Sequence, residues 1–356
     1  MNKETANHID ELLYDSGLFP SKTKNQIDKI SFDFSDETIL ITGAAGSIGS
    51  GLTKQLIHCN YKKLILVDIA ESPLYELLKE LEFEAISNID FLILNITDEA
   101  SLKDLFESQK PSIVFHTAAY KHVPLMESNP YEANKLNILG TKLLADLSNK
   151  HQVKKFIFIS TDKAVNPIGI MGISKKIGEH YLNQLNTISS TKYIIARFGN
   201  IFGSNGSVVP LFKKQIECGH PITITDTTIT RYFISLNRSK FQNQVTGFIF
   251  TNNHNLFTFN MGESIRITNI IERLLCFYDN LEKTPELKII GLRLGEKIHE
   301  DIISEDESLI PTDDLDIFAV KKNNLSKAEN IDFTELINIK PQMSTLEIKN
   351  ILLKYI

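Results

Sequence analysis

The stretch TILITGAAGSIG, residues 38–49, joins a run of apolar residues to a glycine-rich turn. Gly43, Gly46 and Gly49 have GxxGxxG spacing, and small residues there let backbone N–H groups and a helix N-terminus approach a pyrophosphate. This spacing alone fits a tight turn equally well. Asp68 follows Gly49 by 19 residues, at the end of the next apolar run, where a carboxylate accepts hydrogen bonds from an adenosine ribose. Together these residues predict a dinucleotide site, and because no Arg follows Asp68 to accept a 2′-phosphate, NAD is favoured over NADP.

Six short apolar runs alternate with helical patterns from this stretch onward. They are residues 38–42, 63–67, 91–94, 112–115, 156–160 and 193–197. Runs that are apolar on both faces are typical of parallel strands covered by helices. Between the second and third runs, leucines 74, 77, 78 and 81 recur with the period of one helix face. The predicted fold class is therefore α/β, a Rossmann-type doubly wound parallel sheet with a smaller C-terminal substrate-binding lobe.

The chain divides into three predicted segments. Residues 1–36 form an N-terminal arm or packing element, with Asp10 to Leu18 as its best helical candidate. Residues 37–200 form the NAD-binding Rossmann domain, to which some later segments return. Residues 201–356 are mainly the substrate-binding lobe. This last segment contains a loop at 203–207, a strand-like run at 221–225 and a helical pattern near 268–278.

The composition is that of an ordinary globular protein. The chain has 38 Lys and Arg against 44 Asp and Glu, a net charge of −6, and no long basic run, which argues against a nucleic-acid partner. Its three cysteines, Cys59, Cys218 and Cys276, are scattered, so they predict neither a disulfide framework nor a metal site and fit a reducing compartment. A polar N-terminus and the lack of an apolar run of about 18 residues predict a cytoplasmic protein without a membrane span.

A polar group of residues follows the fifth apolar run. Thr161, Asp162 and Lys163 place a hydroxyl, a carboxylate and an ammonium at the carboxyl edge of the sheet, where open α/β folds bind ligands. Met171 and Lys175, four residues apart, project from one helix face toward that edge. A lysine there can bond a nicotinamide ribose and supply positive charge. The simpler alternatives are a helix cap with a solvated Lys163 and core packing for Met171.

Two further groups point to a charged substrate. The loop after the fourth run contributes Lys121, His122 and Glu127 at the same edge. Later segments contribute groups that suit a diphosphate when their lobe closes over the edge, namely Arg197, Asn200, Arg231, Arg293 and Lys297. Taken one at a time, most of these residues are equally explained as solvated charges.

Six longer motifs occur in order along the chain. They are TAAYKHVPLME (117–127), STDKAVNP (160–167), MGISK (171–175), RFGNIFGSNGSVVPLF (197–212), TRYF (230–233) and GLRLGEK (291–297). With the glycine turn, they resemble the polysaccharide-biosynthesis branch of the extended short-chain dehydrogenases/reductases, and most closely the UDP-N-acetylglucosamine 4,6-dehydratases. The superfamily's Tyr-x-x-x-Lys pair reads Met171 and Lys175 here, and Met at this position is known in the branch.

The resemblance implies a reaction and catalytic roles. Tightly bound NAD takes a hydride from sugar C4, water is eliminated across C5 and C6, and the hydride returns to C6. Asp162 is implied as the acid at the C6 hydroxyl, Lys163 as the base at C5, Thr161 as a partner of the C4 oxygen and Lys175 as the residue holding the nicotinamide ribose. These roles need a protonated carboxyl beside a neutral amine, so burial must outweigh the attraction of opposite charges. The group that deprotonates the C4 hydroxyl without a Tyr is left open.

The resemblance also implies binding residues. The cofactor contacts are Gly43, Gly46, Ser47, Ile48, Gly49, Asp68, Asn95, Ile96, Ala118, Ala119 and Lys175. The substrate contacts are Lys121, His122, Glu127, Asn200, Val208, Arg231, Arg293 and Glu296. Three positions depart from the usual pattern: Leu294 replaces a Pro, Gly51 a common Glu, and Asn95 an Asp that touches adenine.

Two other functions remain open from the sequence. A UDP-hexose 4-epimerase begins with the same C4 hydride transfer, but needs no acid at C6 and no base at C5. A catalytically silent nucleotide-binding regulator is allowed by the missing Tyr, yet Thr161, Asp162, Lys163 and Lys175 are all retained. A homodimer or larger homo-oligomer is expected by analogy, with residues 131–149 and 174–187 as the pairing helices. Retention or inversion at C5 depends on side-chain geometry.

Overall fold

The computed structural model describes residues 1–19, 32–84, 87–235, 247, 254–278, 284–323 and 331–356. Its strands, in chain order, are β1 (Asp33–Thr42), β2 (Asn60–Asp68), β3 (Ile89–Ile93), β4 (Ile113–His116), β5 (Lys155–Thr161), β6 (Lys192–Phe198), β7 (Asn200–Ile201), β8 (Ile222–Ile224), β9 (Thr230–Arg231), β10 (Phe233–Ile234), β11 (Leu256–Phe259), β12 (Ile265–Arg266), β13 (Leu287–Ile289), β14 (Glu307–Pro311) and β15 (Ile317–Lys322). All six predicted strands are present among the first six.

The helices are α1 (Lys3–Asp15), α2 (Ser47–Leu56), α3 (Glu71–Leu81), α4 (Glu99–Gln109), α5 (Val123–Ser128), α6 (Pro130–Ala133), α7 (Thr141–Lys150), α8 (Ile170–Leu185), α9 (Val208–Glu217), α10 (Ile267–Leu275), α11 (Thr334–Ile337) and α12 (Thr345–Leu353). A π-helical segment (Asn134–Gly140) joins α6 to α7, and a 3₁₀ turn (Asp162–Ala164) follows β5. In α3, Leu74, Leu77 and Leu81 are buried as predicted, while Leu78 is only partly buried.

The main sheet has nine strands in the order β14-β15-β11-β6-β5-β4-β1-β2-β3. The seven strands from β3 to β11 run parallel to their neighbours, and β15 and β14 are antiparallel additions at one edge. The order 3-2-1-4-5-6 of the first six strands is that of a Rossmann fold. The predicted fold class is confirmed, and the order reversal at β1 and β4 places a crevice above their carboxyl ends.

A second, smaller lobe is built around its own apolar cluster. Pairs of short strands, β7 with β10, β8 with β13 and β9 with β12, lie beside α9 and α10. Phe212 of α9 and Ile270 of α10 are fully buried in this cluster together with Ile9 and Leu13 of α1. The N-terminal segment therefore packs on the second lobe, through a helix that starts earlier than Asp10.

The boundary near residue 200 does not separate the lobes completely. Strands β11, β14 and β15 lie beyond it yet complete the main sheet, while α1 precedes the Rossmann strands and belongs to the second lobe. The predicted arm also ends earlier than residue 36, because β1 begins at Asp33. Residues 20–31 lie outside the described part of the chain.

The helices predicted to pair subunits are covered within this chain. No residue of 131–149 or 174–186 is exposed. The ring of Phe333 lies edge-on to Tyr181 at 4.8 Å between centroids, and His180 Nδ1 lies 3.2 Å from the Tyr355 carbonyl oxygen. The C-terminal residues thus pack against the second of the two segments for which subunit pairing was predicted. Among the described residues, no helix is long and apolar enough to cross a membrane.

Candidate active site

The glycine turn lies where β1 meets α2. Gly43 has φ +70°, and a Cβ there would lie 2.6 Å from Ala118 N, so a side chain would collide with the backbone after β4. A Cβ on Gly49 would lie 2.2 Å from the Gly43 carbonyl oxygen. Both positions therefore require glycine, and the turn leaves Ser47 at the first position of α2 with free helix N–H groups near the crevice.

Asp68, at the end of β2, lies beside this turn. Its carboxylate accepts hydrogen bonds from Ala45 N–H and Ala70 N–H, both at 2.9 Å. Each oxygen has one such bond and keeps a lone pair for a further donor. Asn95 follows β3, and its side-chain oxygen accepts from the Thr97 N–H and hydroxyl at 3.0 and 2.9 Å. These two residues lie after the carboxyl ends of the adjacent strands β2 and β3.

A cavity of about 740 Å³ lies between the carboxyl edge of the sheet and the second lobe. From the Rossmann side it is lined by the predicted residues Gly46, Ser47, Ile48, Ala119, Lys121, His122, Thr161, Lys163, Met171 and Lys175. From the later segments it is lined by Asn200, Val208, Arg231, Arg293 and Glu296. Gly43, Gly49, Asp68, Asn95, Ile96, Ala118, Glu127 and Asp162 do not line it.

The loop 203–207 connects the two sides of the cavity. Asn205 N–H donates to Ser47 Oγ at 3.2 Å, and Lys121 Nζ donates to the Asn205 carbonyl oxygen at 3.0 Å. Gly206 has φ +69°, and a Cβ there would lie 2.7 Å from His122 Cε1. The second lobe is thus joined to the glycine turn and to the loop after β4, which places Lys121 and His122 at the cavity wall.

Four side chains converge at the end of β5. Asp162, only 1% exposed, receives hydrogen bonds at Oδ1 from the Thr161 hydroxyl at 2.9 Å and from Lys163 Nζ at 3.0 Å. Lys163 Nζ also donates to Asn200 Oδ1 at 3.2 Å. This arrangement brings a hydroxyl, a carboxyl and an amine together, as the sequence predicts, with Thr161 and Lys163 lining the cavity and Asp162 buried beside them.

Glu300 is a functional candidate that sequence reasoning missed. It lines the cavity, is 7% exposed, and its Oε1 lies 3.6 Å from Lys163 Nζ. Burial raises the pKa of Glu300, the charge of Lys163 opposes this, and the charge of Asp162 adds to it. Glu300 lies three residues beyond the GLRLGEK motif, and no periodic pattern in the sequence indicates it. It comes close to the end of β5 only in the folded chain.

Lys175 lies deep in the same cavity, one helical turn after Met171. Its Nζ is 4.0 Å from the centre of the Phe158 ring, a cation–π distance. Burial lowers the pKa of Lys175 to about 7, and the charge of Glu179 offsets this only in part. Lys175 therefore changes protonation state near neutral pH. Met171 is 4% exposed and also lines the cavity, so it packs in the core and forms part of the cavity wall.

Two of the residues predicted to meet a diphosphate, Arg231 and Arg293, line the cavity. The Arg231 guanidinium donates to three backbone carbonyls, those of Thr230, Lys297 and Ile298, at 2.7 to 2.9 Å. Its Nη2 lies 3.5 Å from Glu296 Oε1, and Arg293 Nη2 lies 3.4 Å from the same oxygen. Arg231 is therefore rigidly held, while the more exposed Arg293 is free to reorient.

Three predicted contacts have structural roles instead. Arg197 is fully buried and bonded to Glu179 and Glu307, so the prediction that it meets a diphosphate is wrong. Lys297 Nζ donates to the Val165 carbonyl oxygen at 3.0 Å and lies near Asp301 rather than lining the cavity. Glu127 was predicted to contact substrate, but its carboxylate is buried and accepts from Ile170 N–H at 2.6 Å, so it caps α8.

The described ranges contain no group of three or more His, Cys, Asp or Glu side chains that is arranged to hold a metal ion.

Residues 39–322 match the family described as polysaccharide biosynthesis protein. The chain belongs to this family. The match confirms the predicted resemblance to the polysaccharide-biosynthesis branch of the extended short-chain dehydrogenases/reductases. The matched range contains the end of β1, the glycine turn, the cavity-lining loops and all strands from β2 to β15.

Individual relatives agree with this placement. The chain is 38% identical over 281 residues to a Staphylococcus aureus protein described as capsular polysaccharide biosynthesis protein CapD, covering 78% of this chain and 47% of that protein. It is 36% identical over 316 residues to a Campylobacter jejuni UDP-N-acetylglucosamine 4,6-dehydratase (inverting), covering 85% and 87%. The structure of Pen from Bacillus thuringiensis is similar with a TM-score of 0.74 and 27% identity, covering 90% and 98%. The chain spans about half the length of the first curated relatives that it matches.

Proposed function

We propose that the chain is an NAD-dependent nucleotide-sugar 4,6-dehydratase. It converts UDP-N-acetylglucosamine to a UDP-4-keto-6-deoxy-hexose for surface polysaccharide synthesis. The observation that carries this proposal is the hydrogen-bonded group of Thr161, Asp162 and Lys163, of which Thr161 and Lys163 line a cavity beside the glycine turn. The Campylobacter jejuni relative bears the name of this activity and is covered over 87% of its length.

The residues at the turn fit NAD. Gly43 and Gly49 exclude any side chain, so the pyrophosphate can approach the α2 N-terminus, and Asp68 retains lone pairs for ribose hydroxyls. When bound, NAD supplies the hydride acceptor for sugar C4 and the hydride donor for C6. Because the hydride leaves and returns in one turnover, no second redox partner is needed.

The groups after β5 divide the elimination between them. Asp162 donates a proton to the departing C6 hydroxyl, and Lys163 Nζ takes the C5 proton. Asp162 Oδ1 and Lys163 Nζ lie 3.0 Å apart, so the C5–C6 bond of a sugar can lie against both groups. The Thr161 hydroxyl, which now donates to Asp162, is placed to turn toward the C4 oxygen.

Lys175 and the second lobe hold the reactants. Lys175 supplies positive charge or a proton-accepting amine at the nicotinamide ribose, since its pKa lies at about 7. Arg231 and Arg293 face the cavity from the wall that receives the diphosphate, with Glu296 between them. Lys121, His122, Asn200 and Val208 complete the substrate wall.

A UDP-hexose 4-epimerase is the alternative. That reaction oxidises and reduces C4 alone, so it has no use for an acid and a base at C6 and C5. The Asp162–Lys163 pair favours dehydration, because it supplies an acid and a base for which an epimerase has no use.

Proton NMR in deuterated water tests the proposal. Purified protein with UDP-N-acetylglucosamine should produce a C6 methyl signal with deuterium at C5, and the ring couplings then report retention or inversion. Appearance of UDP-N-acetylgalactosamine without a methyl signal would assign the epimerase instead. The Asp162→Asn protein is the matched control, since it should bind NAD but form no methyl product.

A further inference from the structure

Two buried carboxyls share one amine at the floor of the cavity. Lys163 Nζ lies 3.0 Å from Asp162 Oδ1 and 3.6 Å from Glu300 Oε1. The side chains of Asp162 and Glu300 are only 1% and 4% exposed, and that of Lys163 is 20% exposed. Glu300 comes from the segment after β13, so it meets the other two only through the tertiary fold.

The charges of this group do not balance when all three are ionised. Two carboxylates and one ammonium carry a net charge of −1, and the two carboxylate side chains are at most 4% exposed. In addition, Asp162 Oδ2 and Glu300 Oε2 are buried without a hydrogen-bond partner among the described residues. Buried charge without partners is unfavourable, and one added proton makes the group neutral.

Building on the dehydratase proposed above, we propose that Glu300 is the third member of the acid–base group, holding two protons jointly with Asp162 and Lys163. Glu300 is a positioning residue that acts through Lys163. By accepting the Lys163 proton, it leaves a lone pair on Nζ while Asp162 keeps a proton of its own. The site then has an acid and a base together without any buried charge.

The surroundings of Glu300 agree with a retained proton. Burial raises the pKa of this carboxyl; the Lys163 charge lowers it, the Asp162 charge raises it, and the charges of Arg231 and Lys297 lower it. The net direction is upward, because burial outweighs three cations. Asn200, the other partner of Lys163, is neutral and does not change this balance.

The protons balance over a turnover. Lys163 Nζ takes the C5 proton, Asp162 gives its proton to the C6 oxygen, the C6–O bond breaks, and water leaves. Lys163 then returns its proton to C5 as the hydride reaches C6. Asp162 is left one proton short, and the proton that the C4 hydroxyl releases when it becomes a ketone restores it, so the group ends the turnover with the two protons it began with.

Infrared spectroscopy of the protein with NAD bound, but without substrate, tests this proposal. At pH 8 ordinary carboxyls are ionised, so the wild-type protein should retain the carbonyl band of a protonated carboxyl, shifted in deuterated water. Glu300→Gln and Asp162→Asn should each lose that band, because the remaining carboxyl forms a simple ion pair with Lys163. Glu305→Gln, the same change at an exposed site, should keep it. A wild-type spectrum without the band, or a band that survives in Glu300→Gln, would overturn the proposal.

A kinetic readout separates this role from simple support of the fold. The wild-type kcat should fall on the alkaline side as the shared proton is lost, and Glu300→Asp should keep this limb. In Glu300→Gln, the alkaline fall in kcat should be absent from the pH range where the wild-type protein shows it. The value of kcat should also be about 100-fold lower, with little change in KM. If kcat of Glu300→Gln fell by the same factor at every pH and its alkaline fall were unchanged, Glu300 would only support the fold. If the wild-type protein forms no methyl product, the dehydratase fails, while the infrared result still decides on the shared proton.

Discussion

The Arg197 guanidinium donates to both carboxylate oxygens of Glu307, at 2.7 and 3.0 Å. Arg197 lies on β6 and Glu307 on β14, which are separated in the sheet by β11 and β15. The same guanidinium donates to both oxygens of Glu179 on α8, at 2.9 and 2.7 Å. One buried arginine thus joins the parallel part of the sheet, its antiparallel edge and the helix that holds Lys175.

Arg197→Met should destabilise the protein strongly. Two buried carboxylates would lose their main partner, so the free energy of unfolding should fall by about 3–5 kcal/mol. Urea unfolding followed by circular dichroism measures this. The control is Arg273→Met, which breaks the partly exposed pair with Asp10 and should change stability by about 1 kcal/mol or less. Equal losses in the two variants would contradict the role given to Arg197.

The same pairs predict how stability depends on acid. Burial alone raises the pKa of Glu307, but the hydrogen bonds and charge of Arg197 outweigh it and bring the pKa to about 2. A carboxyl whose pKa is lower in the folded state stabilises the fold above its unfolded value of 4.5. That stability should be lost as pH falls from about 4.5 toward 2. Melting temperatures across this range check it, and Glu307→Gln should show a flatter profile.

Lys163→Ala and Asp162→Asn should each abolish product formation while NAD stays bound. Neither side chain faces the glycine turn, and removal of a general acid or base typically costs about 10²–10⁴-fold in rate. Single-turnover assays and the cofactor content of the purified variants measure the two effects. Loss of NAD together with activity would show that the pair supports the cofactor rather than the elimination.

Asp68→Ala should weaken NAD binding. The substitution removes the ribose acceptor and also the carboxylate that holds the Ala45 N–H of the turn. We expect about a tenfold or greater rise in the NAD dissociation constant, measured by fluorescence titration of protein freed of cofactor. Asp90→Asn, an equivalent change on β3 away from the turn, should leave NAD affinity as it is. Unchanged affinity in Asp68→Ala would mean that the ribose lies elsewhere.

Lys175→Met should inactivate the protein yet stabilise it near neutral pH. Burial holds the pKa of Lys175 at about 7, below its unfolded value of 10.5, so folding disfavours the charged form. The charged lysine weakens the fold most below pH 7, and this effect disappears as pH rises toward 10.5. The gain in melting temperature over wild type should therefore be larger at pH 6 than at pH 9. A gain that is equal at both pH values would exclude a buried lysine with a lowered pKa.

The strands and the glycine turn could be predicted because their signals are local. An apolar run such as 156–160 is buried on both faces wherever it lies in a parallel sheet, and Gly43 and Gly49 are dictated by backbone contacts at one turn. Motif spacing likewise indicated Thr161, Lys163 and Lys175, since side chains at strand ends and four residues apart on a helix share one edge.

Single charges had no such signal. Arg197 and Arg231 are both arginines beside family motifs, yet one is enclosed in the core and the other faces the cavity. From the sequence, Glu127 was predicted to contact substrate, but its carboxylate instead accepts a hydrogen bond from Ile170 N–H at the start of α8. The sequence does not specify which partner a charged side chain meets, because that partner comes from a distant segment.

By itself the sequence determined the doubly wound sheet, its dinucleotide turn and the family, because periodicity and short motifs act over a few residues. Only the tertiary structure decided that β11, β15 and β14 return to complete the sheet, that the C-terminal helices cover α8, and that Glu300 lies beside Lys163. These contacts join segments that are distant along the chain, about 60 residues apart for Ile195 and Leu256 and more than 130 for Lys163 and Glu300. They depend on how whole layers of helices and strands pack and on which buried charges find a partner. A local sequence pattern specifies neither the packing nor the partner.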